Sequence, residues 1–516
     1  MHLFPFLNKI AHGEKTLLTN DSFSLLQMKE ANIIGSGMAG MATAARLASQ
    51  EYRVRVFEQN AYPGGKVTTT GDDHYRFDAG PSLFTLPELV DDLIRSVGKE
   101  PRHYFHYRRK EIACRYFWED GTELTAWGDR ERFAEEVEQV LGVKGQMVID
   151  YLADAKRIYR YTTPVFLERS LHVLKSFLNA ETFRAIGQMH RLHLFGTLHE
   201  TNRKKLGHPK LVQLFDRFAT YNGSSPYLSP GVMSSIPHLE HNVGTFYPEG
   251  GLHTVTQTLY QLCRDLGVEF RFEERVNRIR ISGKKAEGVE TEKGFYPGLT
   301  VSNMDIVPTY RRLMPEQAAP EQTLAQDRSS SALIFYWGLK RQFPELDLHN
   351  IFFSEDYRAE FAAIFEERTV SDDPTIYLNI SSKEDPDHAP AGGENWFVML
   401  NVPGNRGQDW DSLISHLRSL TLAKLSRRLG VAIEPLLAYE EVLDPRSIEA
   451  KTASYQGSLY GASSNNRMAA FLRHPNFTRK IKDLYFCGGS VHPGGGIPLC
   501  LLSAKITTGL IRDAKA

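Results

Sequence analysis

A glycine-rich loop between an apolar strand and a helix constrains this chain most. Ala31 to Ile34 form a short apolar strand signal, and 41–50 follow as a helical run. Three glycines lie between them. Gly35 permits a tight turn, Gly37 lets a pyrophosphate approach the backbone, and Gly40 lets the helix and the strand pack closely. GxGxxG alone is a weak signal, but strand, helix and spacing together predict a dinucleotide site. The motif residues are Gly35, Ser36, Gly37, Met38, Ala39 and Gly40.

Two further features distinguish between possible dinucleotides. The second predicted strand, Arg53 to Phe57, ends in Glu58, placed where a ribose hydroxyl needs an acceptor, although Glu58 could also be a solvated strand end. Pro63 is then followed by Gly64, Gly65 and Lys66, which indicate a second close approach of backbone to ligand. NAD-binding domains do not need this second loop. A plain surface turn is the alternative.

Composition excludes several classes of protein. The 516 residues, 41% of them hydrophobic, suffice for a large core, and 61 Lys+Arg against 62 Asp+Glu provide no global field for recruiting nucleic acid. The cysteines are scattered without a CxxC pair, which argues against a disulfide framework or a metal site and favours a reducing cytoplasm. They are Cys114, Cys263, Cys487 and Cys500.

The N-terminal residues and the apolar runs bear on targeting. Residues 1–27 lack the apolar core and cleavage site of a secretory signal, so we expect a loose extension, and Met28 could be the natural start. The longest strongly apolar stretch, Ala332 to Leu339, is far shorter than the roughly 20 residues that cross a bilayer as a helix. The sequence therefore predicts no membrane-spanning helix.

Several motifs in order along the chain resemble one family. Besides those above, they are FDAGPS at 77–82, YPEGGLHTV at 247–255 and CGGSVHPGGGIPLCLLSAK at 487–505. Together they are similar to the bacterial carotenoid desaturases, a branch of the FAD-dependent amine-oxidase-like flavoproteins. The resemblance extends from about Ala31 to Arg512, so it is far more specific than any single motif.

The resemblance implies an FAD lying between the N-terminal glycine loop and a C-terminal return segment. Leu484 to Cys487 read as a buried strand, and Ile497 to Leu510 as a helix whose N-terminus can face the flavin. Val276 would contact adenine through its backbone, with a plain core valine as the alternative. Gly489-Ser490 stands where many flavoproteins carry an acidic residue for the ribityl chain, so that contact stays open. The implied cofactor residues also include Gly80, Pro81, Ser82, Gly488, Gly489, Gly495, Gly496, Ile497 and Pro498.

We therefore expect an α/β fold, a Rossmann-type FAD-binding domain with an interleaved α+β substrate domain. Residues 28–80, 241–306 and 446–516 would form the FAD-binding domain. Residues 81–240 and 307–445 would form the substrate-binding and membrane-contacting domain, with an antiparallel sheet that includes strands at 333–339 and 396–402. Val268 to Phe272 and Arg275-Val276 are predicted as two strands of the FAD domain.

The middle of the chain suggests contact with a membrane surface. Between 155 and 215 the sequence has 11 Lys and Arg against 3 Glu, interleaved with apolar residues at helical spacing. Such helices can lie reversibly at an anionic bilayer interface, where a carotenoid substrate would also reside. Ordinary packing over the domain core is the alternative. This hypothesis places the protein in the cytoplasm, peripherally associated with the inner membrane.

The reaction implied by the resemblance is removal of hydrogen from a long polyene, with hydride passing to flavin N5. The polyene would delocalise the resulting charge, so no strong base is required, and we assign no catalytic residue. Glu240 is the polar group nearest the tunnel by family position, but a structural carboxylate is the favoured interpretation. His492 could approach the flavin or bond within its own loop. A visiting quinone or dioxygen would reoxidise the flavin, because the sequence contains a single dinucleotide motif.

The sequence leaves several alternatives for the substrate and the reaction. Ser454 to Phe477, especially the part from Gly457, and the closing motif look more like the branch that introduces the 3,4 double bond into 1-hydroxylated carotenoids. Phytoene desaturation is the second interpretation, and a related saturase or isomerase is a third. A non-catalytic prenyl or lipid binder on the same fold is the alternative of another class, and a flavin amine oxidase is a further one.

Overall fold

The computed structural model describes residues 29–466 and 473–514 of the chain. The predicted N-terminal extension, Met28 and part of the motif at 457–477 lie outside these residues. Among the described residues, no helix combines the length and apolarity that crossing a bilayer requires.

The strands belong to five sheets. In chain order they are β1 (Lys29–Ile34), β2 (Tyr52–Phe57), β3 (Thr68–Gly71), β4 (Arg76–Ala79), β5 (Tyr107–Arg109), β6 (Ile112–Phe117), β7 (Glu123–Trp127), β8 (Phe246–Pro248), β9 (Glu269–Arg271), β10 (Val276–Ser282), β11 (Lys285–Thr291), β12 (Gly294–Pro297), β13 (Leu299–Ser302), β14 (Ser331–Leu339), β15 (His349–Phe352), β16 (Ile376–Asn379), β17 (Glu394–Val402), β18 (Leu437–Leu443) and β19 (Leu484–Phe486).

The α-helices lie mostly in the middle of the chain and at the nucleotide motifs, with short 3-10 and π turns between them. They are α1 (Met38–Ala48), α2 (Glu88–Ser96), α3 (Arg130–Leu141), α4 (Gln146–Phe166), α5 (Ala180–Gly187), α6 (Leu198–Leu206), α7 (Pro209–Asp216), α8 (His253–Asp265), α9 (Ile306–Pro308), α10 (Glu321–Leu324), α11 (Tyr357–Ala362), α12 (Trp410–Leu429), α13 (Pro445–Thr452) and α14 (Ile497–Asp513).

A parallel sheet of five strands, in the order β19-β13-β1-β2-β9, forms the nucleotide-binding half. Helices α1, α8 and α14 pack together with it around one apolar core. Helix α1 begins three residues before the predicted start, because Gly37 already adopts the extended N-cap conformation (φ −68°, ψ 174°). Of the two strands predicted near residue 270, β9 joins this sheet, whereas β10 belongs to a separate three-stranded sheet.

A second sheet of seven strands, in the order β18-β14-β17-β16-β15-β6-β7, forms the other half. The expectation of an antiparallel sheet is wrong at one pair, since β15 runs parallel to β6. Strand β6 enters this sheet from a distant part of the chain, and short-range hairpin signals do not fix its direction.

The long apolar strand β14 is buried on both faces. Leu333, Phe335 and Trp337 pack toward helix α12 in one core cluster. Ile334 and Tyr336 alternate with them and face the β3-β4 hairpin. Burial on both faces explains why the sequence shows a continuous apolar run rather than alternation.

The predicted fold class is confirmed, with a Rossmann-type parallel sheet beside an α+β unit. All strands of the parallel sheet come from 28–80, 241–306 and 446–516, and all strands of the seven-stranded sheet come from 81–240 and 307–445. The domain boundaries themselves stay a prediction.

A close approach between α1 and the end of β1 gives a test of this packing. A Cβ atom added at Gly40 would lie 2.2 Å from the carbonyl oxygen of Gly35, so the helix would have to move away from the strand. We expect Gly40→Ala to destabilise the protein by about 1–3 kcal/mol. The measurement is the midpoint of thermal unfolding.

Gly509→Ala is the matched control, because a Cβ there meets no atom within 4 Å and the residue lies inside helix α14. Alanine is expected to leave stability unchanged or raise it by up to about 1 kcal/mol. Equal unfolding midpoints for the two variants would contradict the close-packing argument.

Candidate functional site

The two glycine-rich regions of the chain meet at one cavity of about 930 Å³. Gly37, from the loop after β1, and Gly495, from the loop after β19, both line it. This volume is at the upper end of the range for cofactor and small-molecule sites. The convergence of both chain regions is what an extended dinucleotide requires.

Helix α1 begins at the cavity wall without a side-chain cap. Gly37 stands at its N-cap, the first turn has no acidic residue, and Met38 and Ala39 line the cavity. The first N–H groups of a helix have no intrahelical partner and carry partial positive charge. This end of the cavity is therefore suited to a pyrophosphate group.

Glu58 lies at the end of β2 beside the glycine loop, and only 6% of it is exposed. One carboxylate oxygen accepts hydrogen bonds from the backbone N–H and the hydroxyl of Ser36, at 2.9 and 2.8 Å. The other accepts from the backbone N–H and the amide nitrogen of Asn60, both at 3.0 Å. A ribose hydroxyl that bonded to Glu58 would therefore replace one of the two side-chain donors.

The second glycine loop joins the N-terminal motif to the C-terminal half. Gly64 donates its N–H to the Ser36 carbonyl oxygen at 3.0 Å. The ammonium of Lys66 donates to the carbonyl oxygens of Ser458 and Leu459, both at 2.8 Å. Burial lowers the pKa of Lys66 to about 8. Lys66 lines the cavity and fixes the segment before the closing motif.

Asp78 connects two of the sequence motifs. Its carboxylate accepts hydrogen bonds from the N–H groups of Leu252 and His253, at 2.7 and 3.0 Å, where helix α8 begins. Gly251 leaves room for this approach, since a Cβ there would lie 2.6 Å from a carboxylate oxygen of Asp78. FDAGPS and YPEGGLHTV are thus two parts of one contact that holds Gly80 at the cavity wall.

Helix α14 provides a second helix N-terminus at the same cavity. Gly496 is its N-cap, with no side-chain cap and no acidic residue in the first turn. Gly496 has φ +98°, and a Cβ there would meet no atom within 4 Å, so its backbone faces open space. A Cβ on Gly495 would lie 2.8 Å from the Cα of Tyr460, so this glycine is required by packing.

The structure brings most of the predicted cofactor residues to the cavity wall. Three do not line it: Ser36 bonds to Glu58 from behind the loop, Gly40 packs against Gly35, and Gly488 packs against Asn303. Those that line it are Gly35, Gly37, Met38, Ala39, Glu58, Gly64, Gly65, Lys66, Gly80, Pro81, Ser82, Val276, Gly489, Gly495, Gly496, Ile497 and Pro498. Their binding of FAD stays a prediction.

These residues fit an FAD molecule. Two uncapped helix N-termini, which would favour electron-rich groups, open on one cavity. Glu58 stands beside the first of them. The open space next to Gly496 would be filled by any larger residue.

Two adjacent predictions remain open. Val276 is 5% exposed, lines the cavity and pairs with Thr291 in the small sheet, which is compatible with both the adenine and the core role. Ser490 also lines the cavity, and its hydroxyl accepts a hydrogen bond from the Ile306 N–H at 2.9 Å. The ribityl contact is therefore not assigned.

The remainder of the cavity is largely apolar. The seven-stranded sheet, the end of α4 and the turns before residue 240 supply its walls. These lining residues include Ala332, Ile334, Met399, Leu443, Phe166, Leu167, Val232, Met233, Ile236 and Leu239. Such walls can hold a long apolar chain and exclude water from it.

Glu240 is a structural carboxylate in this protein, as the favoured interpretation expects. It is 1% exposed and accepts hydrogen bonds from the Arg217 guanidinium at 2.9 and 3.0 Å, and from the Tyr221 hydroxyl. Burial acts most strongly and raises the pKa of Glu240, but Arg217, His241 and the Tyr221 hydroxyl together outweigh it, so the pKa lies below its usual value. Arg217 and Tyr221 line the cavity, whereas Glu240 does not.

His492 lies in the closing motif but is not part of the cavity lining. Its Nε2–H donates to the Arg169 carbonyl oxygen at 2.7 Å, in the segment after α4. Burial lowers the pKa of His492 to about 4, which keeps the ring neutral at neutral pH. Within the described ranges, no group of three or more His, Cys, Asp and Glu side chains could hold a metal ion.

Sequence reasoning missed several residues of the cavity wall. Arg217 and Tyr221 come from the turn at 217–222, whereas Tyr336, Tyr377 and Asn401 come from β14, β16 and β17, far from that turn in the chain. Each reads as an ordinary helix, turn or strand residue in its local context. Only the pairing of distant strands places them together, so no local signal identifies them.

Comparisons with known proteins agree with this geometry. Residues 38–297 match the model of the family described as flavin containing amine oxidoreductase. A 1-hydroxycarotenoid 3,4-desaturase from Flavobacterium sp. (strain P99-3) is 52% identical over 490 residues, covering 95% of this chain and 100% of the relative. A 4,4'-diapolycopene oxygenase from Methylomonas sp is 31% identical, covering 93% and 97%, and a phytoene desaturase from Phycomyces blakesleeanus is 30% identical, covering 94% and 85%.

Solved structures support the fold. An oxidoreductase from Methanosarcina mazei has a TM-score of 0.62 at 15% identity, covering 93% of this chain and 100% of that one. A redesigned putrescine oxidase has a TM-score of 0.60 at 11% identity, covering 95% and 99%. The match over the full length of the desaturase relative shows the family as well as the fold, and this chain belongs to the carotenoid desaturases within the flavin-containing amine oxidoreductases.

Proposed function

We propose that this protein introduces the 3,4 double bond into a 1-hydroxycarotenoid. The protein is an FAD-dependent oxidoreductase, and the observation that carries the finer proposal is its 52% identity to a relative of that name. Identity to a phytoene desaturase is 30% over a similar share of this chain. Phytoene desaturation is therefore the second candidate.

The cavity provides what such a reaction needs from the protein. Desaturation removes a hydride equivalent and a proton from adjacent carbons, and bound FAD supplies the two-electron acceptor. The glycine loops and the N-termini of α1 and α14 would hold the cofactor, with Glu58 at its ribose. The apolar walls would orient the polyene and exclude water, so that the same carbon–carbon bond would lie beside the cofactor in every turnover.

Glu240 is unsuited to act as a strong base in the apolar half of the cavity. Glu240 is held by Arg217 and Tyr221 and stays ionised but fully engaged. A conjugated polyene delocalises developing positive charge, which makes the remaining proton acidic. Positioning by the cavity walls is therefore the main contribution of this half of the molecule.

Two further candidates are less well supported. A non-catalytic prenyl or lipid binder would not need two complete glycine regions at one cavity, and this chain has both. A flavin amine oxidase would share the fold, but the similar amine oxidase structures are 11 to 15% identical, which supports the fold alone.

The proposal includes a visiting electron acceptor, either a membrane quinone or dioxygen. One dinucleotide motif occurs in the sequence, so reoxidation by a second bound nicotinamide is not expected. A quinone would share the lipid environment of the carotenoid.

An exposed surface near the cavity supports contact with a membrane. We name the apolar–basic patch for its exposed apolar side chains, Leu178, Phe183, Ile186, Met189 and Phe195, which are 47 to 84% exposed, together with the exposed Lys175, Arg184 and Arg191. Large exposed apolar side chains beside basic residues are typical of surfaces that bind anionic bilayers.

The patch lies on the segment that follows the cavity wall in the chain. Phe166 and Leu167, at the end of α4, line the cavity, and Lys175, the first patch residue, comes eight residues after Leu167. The proposal is that a substrate leaves the bilayer at the patch and enters the cavity past this end of α4. The proposal places the protein at the cytoplasmic side of the inner membrane, bound reversibly.

Substrate conversion tests the proposed reaction. The purified protein with FAD and a quinone, in lipid vesicles, is expected to convert a 1-hydroxylated carotenoid to a product with a longer conjugated system. Absorbance and chromatography of the pigments would measure it. Conversion of phytoene with no reaction of the hydroxylated carotenoid would contradict the proposal and favour the second candidate.

Replacement of Glu58 tests the cofactor assignment. Glu58→Gln keeps the shape but removes the charge that accepts hydrogen bonds, an interaction worth about 1.5–3 kcal/mol. We expect the dissociation constant for FAD to rise about 10- to 100-fold, measured by flavin fluorescence during titration of the apoprotein.

Glu30→Gln is the control for this measurement. Glu30 pairs with Arg55 in the same sheet but does not line the cavity. Its replacement is expected to leave FAD affinity unchanged. Equal affinities for Glu58→Gln and the native protein would show that Glu58 does not serve the ribose.

Negative charge introduced on the patch tests membrane contact. Phe183→Asp combined with Ile186→Asp places two carboxylates on a surface that would face anionic lipid, so sedimentation with phosphatidylglycerol vesicles should fall about tenfold or more. Val140→Asp is the control, since Val140 is 39% exposed on α3, outside the patch. The patch would be excluded as the contact surface if the control alone lost binding, or if both variants bound vesicles as well as the native protein.

A further inference from the structure

Two asparagine side chains on the cavity wall are connected to the C-terminal glycine loop through neighbouring residues. Asn222 ends the turn after α7, and Asn401 lies on β17, and both line the cavity. We call these two residues the amide pair. Each amide offers one acceptor and two donor hydrogens.

A chain of contacts joins the amide pair to the glycine loop. The carbonyl oxygen of Gly223, next to Asn222, accepts a hydrogen bond from the Ser330 N–H at 2.9 Å. The Ser330 hydroxyl donates to the Asn401 amide oxygen at 3.5 Å. A Cβ on Gly223 would lie 2.9 Å from the Tyr460 ring, and a Cβ on Gly495 would lie 2.8 Å from the Tyr460 Cα. Tyr460 therefore lies between Gly223, the neighbour of Asn222, and Gly495 of the C-terminal glycine loop.

The amide pair retains free hydrogen-bonding capacity. Within the described residues, the Asn222 side chain makes no hydrogen bond, and that of Asn401 has the long contact with Ser330 as its single one. Among the other polar groups of this wall, the buried Tyr336 hydroxyl also has no hydrogen-bond partner within the described residues, whereas that of Tyr377 is engaged. The Tyr377 hydroxyl bridges Ser82 and His349, at 2.9 and 2.8 Å.

The chemistry of the proposed substrate requires a polar partner beside the reacting bond. This step rests on the proposed function, in which the bond between carbons 3 and 4 is oxidised. The 1-hydroxyl is attached to a carbon only two bonds from carbon 3, so it must lie beside the reacting bond and not at the far end of the cavity. A buried hydroxyl without a partner is unfavourable, whereas the rest of the polyene needs apolar walls.

We infer that Asn222 and Asn401 form a subsite that binds the tertiary hydroxyl of the substrate and thereby sets which end and which bond of the polyene is presented. The amide pair acts through hydrogen bonds to the hydroxyl and takes no proton from the reacting carbons. A polyene that lacks the hydroxyl would leave two amides without partners in the closed cavity. Sites built to bind a hydroxyl discriminate strongly against analogues that lack it.

Leucine replacements of the amide pair test the subsite, because leucine has a similar size and no polar atom. For Asn222→Leu and Asn401→Leu, kcat/KM for the 1-hydroxylated carotenoid is expected to fall about 10- to 100-fold. The value for the same carotenoid without the hydroxyl is expected to stay equal or rise. Asn277→Leu is the control, since Asn277 is an exposed asparagine on β10 that does not line the cavity, and its replacement is expected to leave both values unchanged.

Equilibrium binding makes the result independent of turnover. Each variant would be titrated with the two carotenoids, and binding would be followed by the quenching of tryptophan fluorescence. Asn222→Leu and Asn401→Leu should lose the native preference for the hydroxylated molecule. Flavin absorbance per protein should stay at the native level. A loss of FAD would instead assign the amide pair to the cofactor and overturn the inference, as would an equal fall for both carotenoids or no change.

The two proposals can fail separately. If the native protein binds the hydroxylated carotenoid preferentially and the variants lose that preference, the subsite stands even where turnover occurs on phytoene alone. If the native protein oxidises the hydroxylated carotenoid but the variants retain native selectivity in both assays, the subsite is wrong and the proposed function is unaffected.

Discussion

Parallel pairing of three distant strands determines where everything else can lie. Strand β1 pairs with β13, and β13 pairs with β19, so that Ile33, Val301 and Tyr485 form one row across the sheet. Because parallel strands end at the same edge, the loops after β1 and β19 are brought side by side. Asn303 lies between them, near the Cβ positions of both Gly37 and Gly488. The cavity opens at this edge, and its nucleotide half follows from that arrangement.

The sequence predicted local features well and long-range ones poorly. The glycine loops, Glu58 and the strand at 332–339 depend on spacing over a few residues, and the structure places all of them at or beside the cavity. The contact between Asp78 and the start of α8 joins residues far apart in the chain, and neither motif indicates its partner. The parallel pair β15-β6 and the walls made by Arg217 and Asn401 likewise depend on contacts between distant segments. Composition and periodicity do not predict which distant segments come together.

The two halves of the cavity use different physics. At the nucleotide edge, backbone N–H groups and a carboxylate are fixed by short hydrogen bonds, so binding there relies on charge and on the absence of side chains. Beyond Tyr460 the walls are mainly apolar, and their polar groups are mostly paired with one another, as in Arg217 with Glu240. A ligand with no charge can therefore be aligned by shape, with a few unpaired amides providing direction.

Strand β19 lies at the outer edge of the parallel sheet and is the last strand among residues 29–466 and 473–514. During synthesis the residues of β1, β2, β9 and β13 therefore emerge before those of β19 and of the glycine loop that precedes α14. Until then the nascent nucleotide half has one unpaired edge at β13 and half a binding cleft. A cleft for the whole cofactor consequently forms only once β19 has paired with β13, and the same pairing covers a sheet edge that could otherwise associate with another chain.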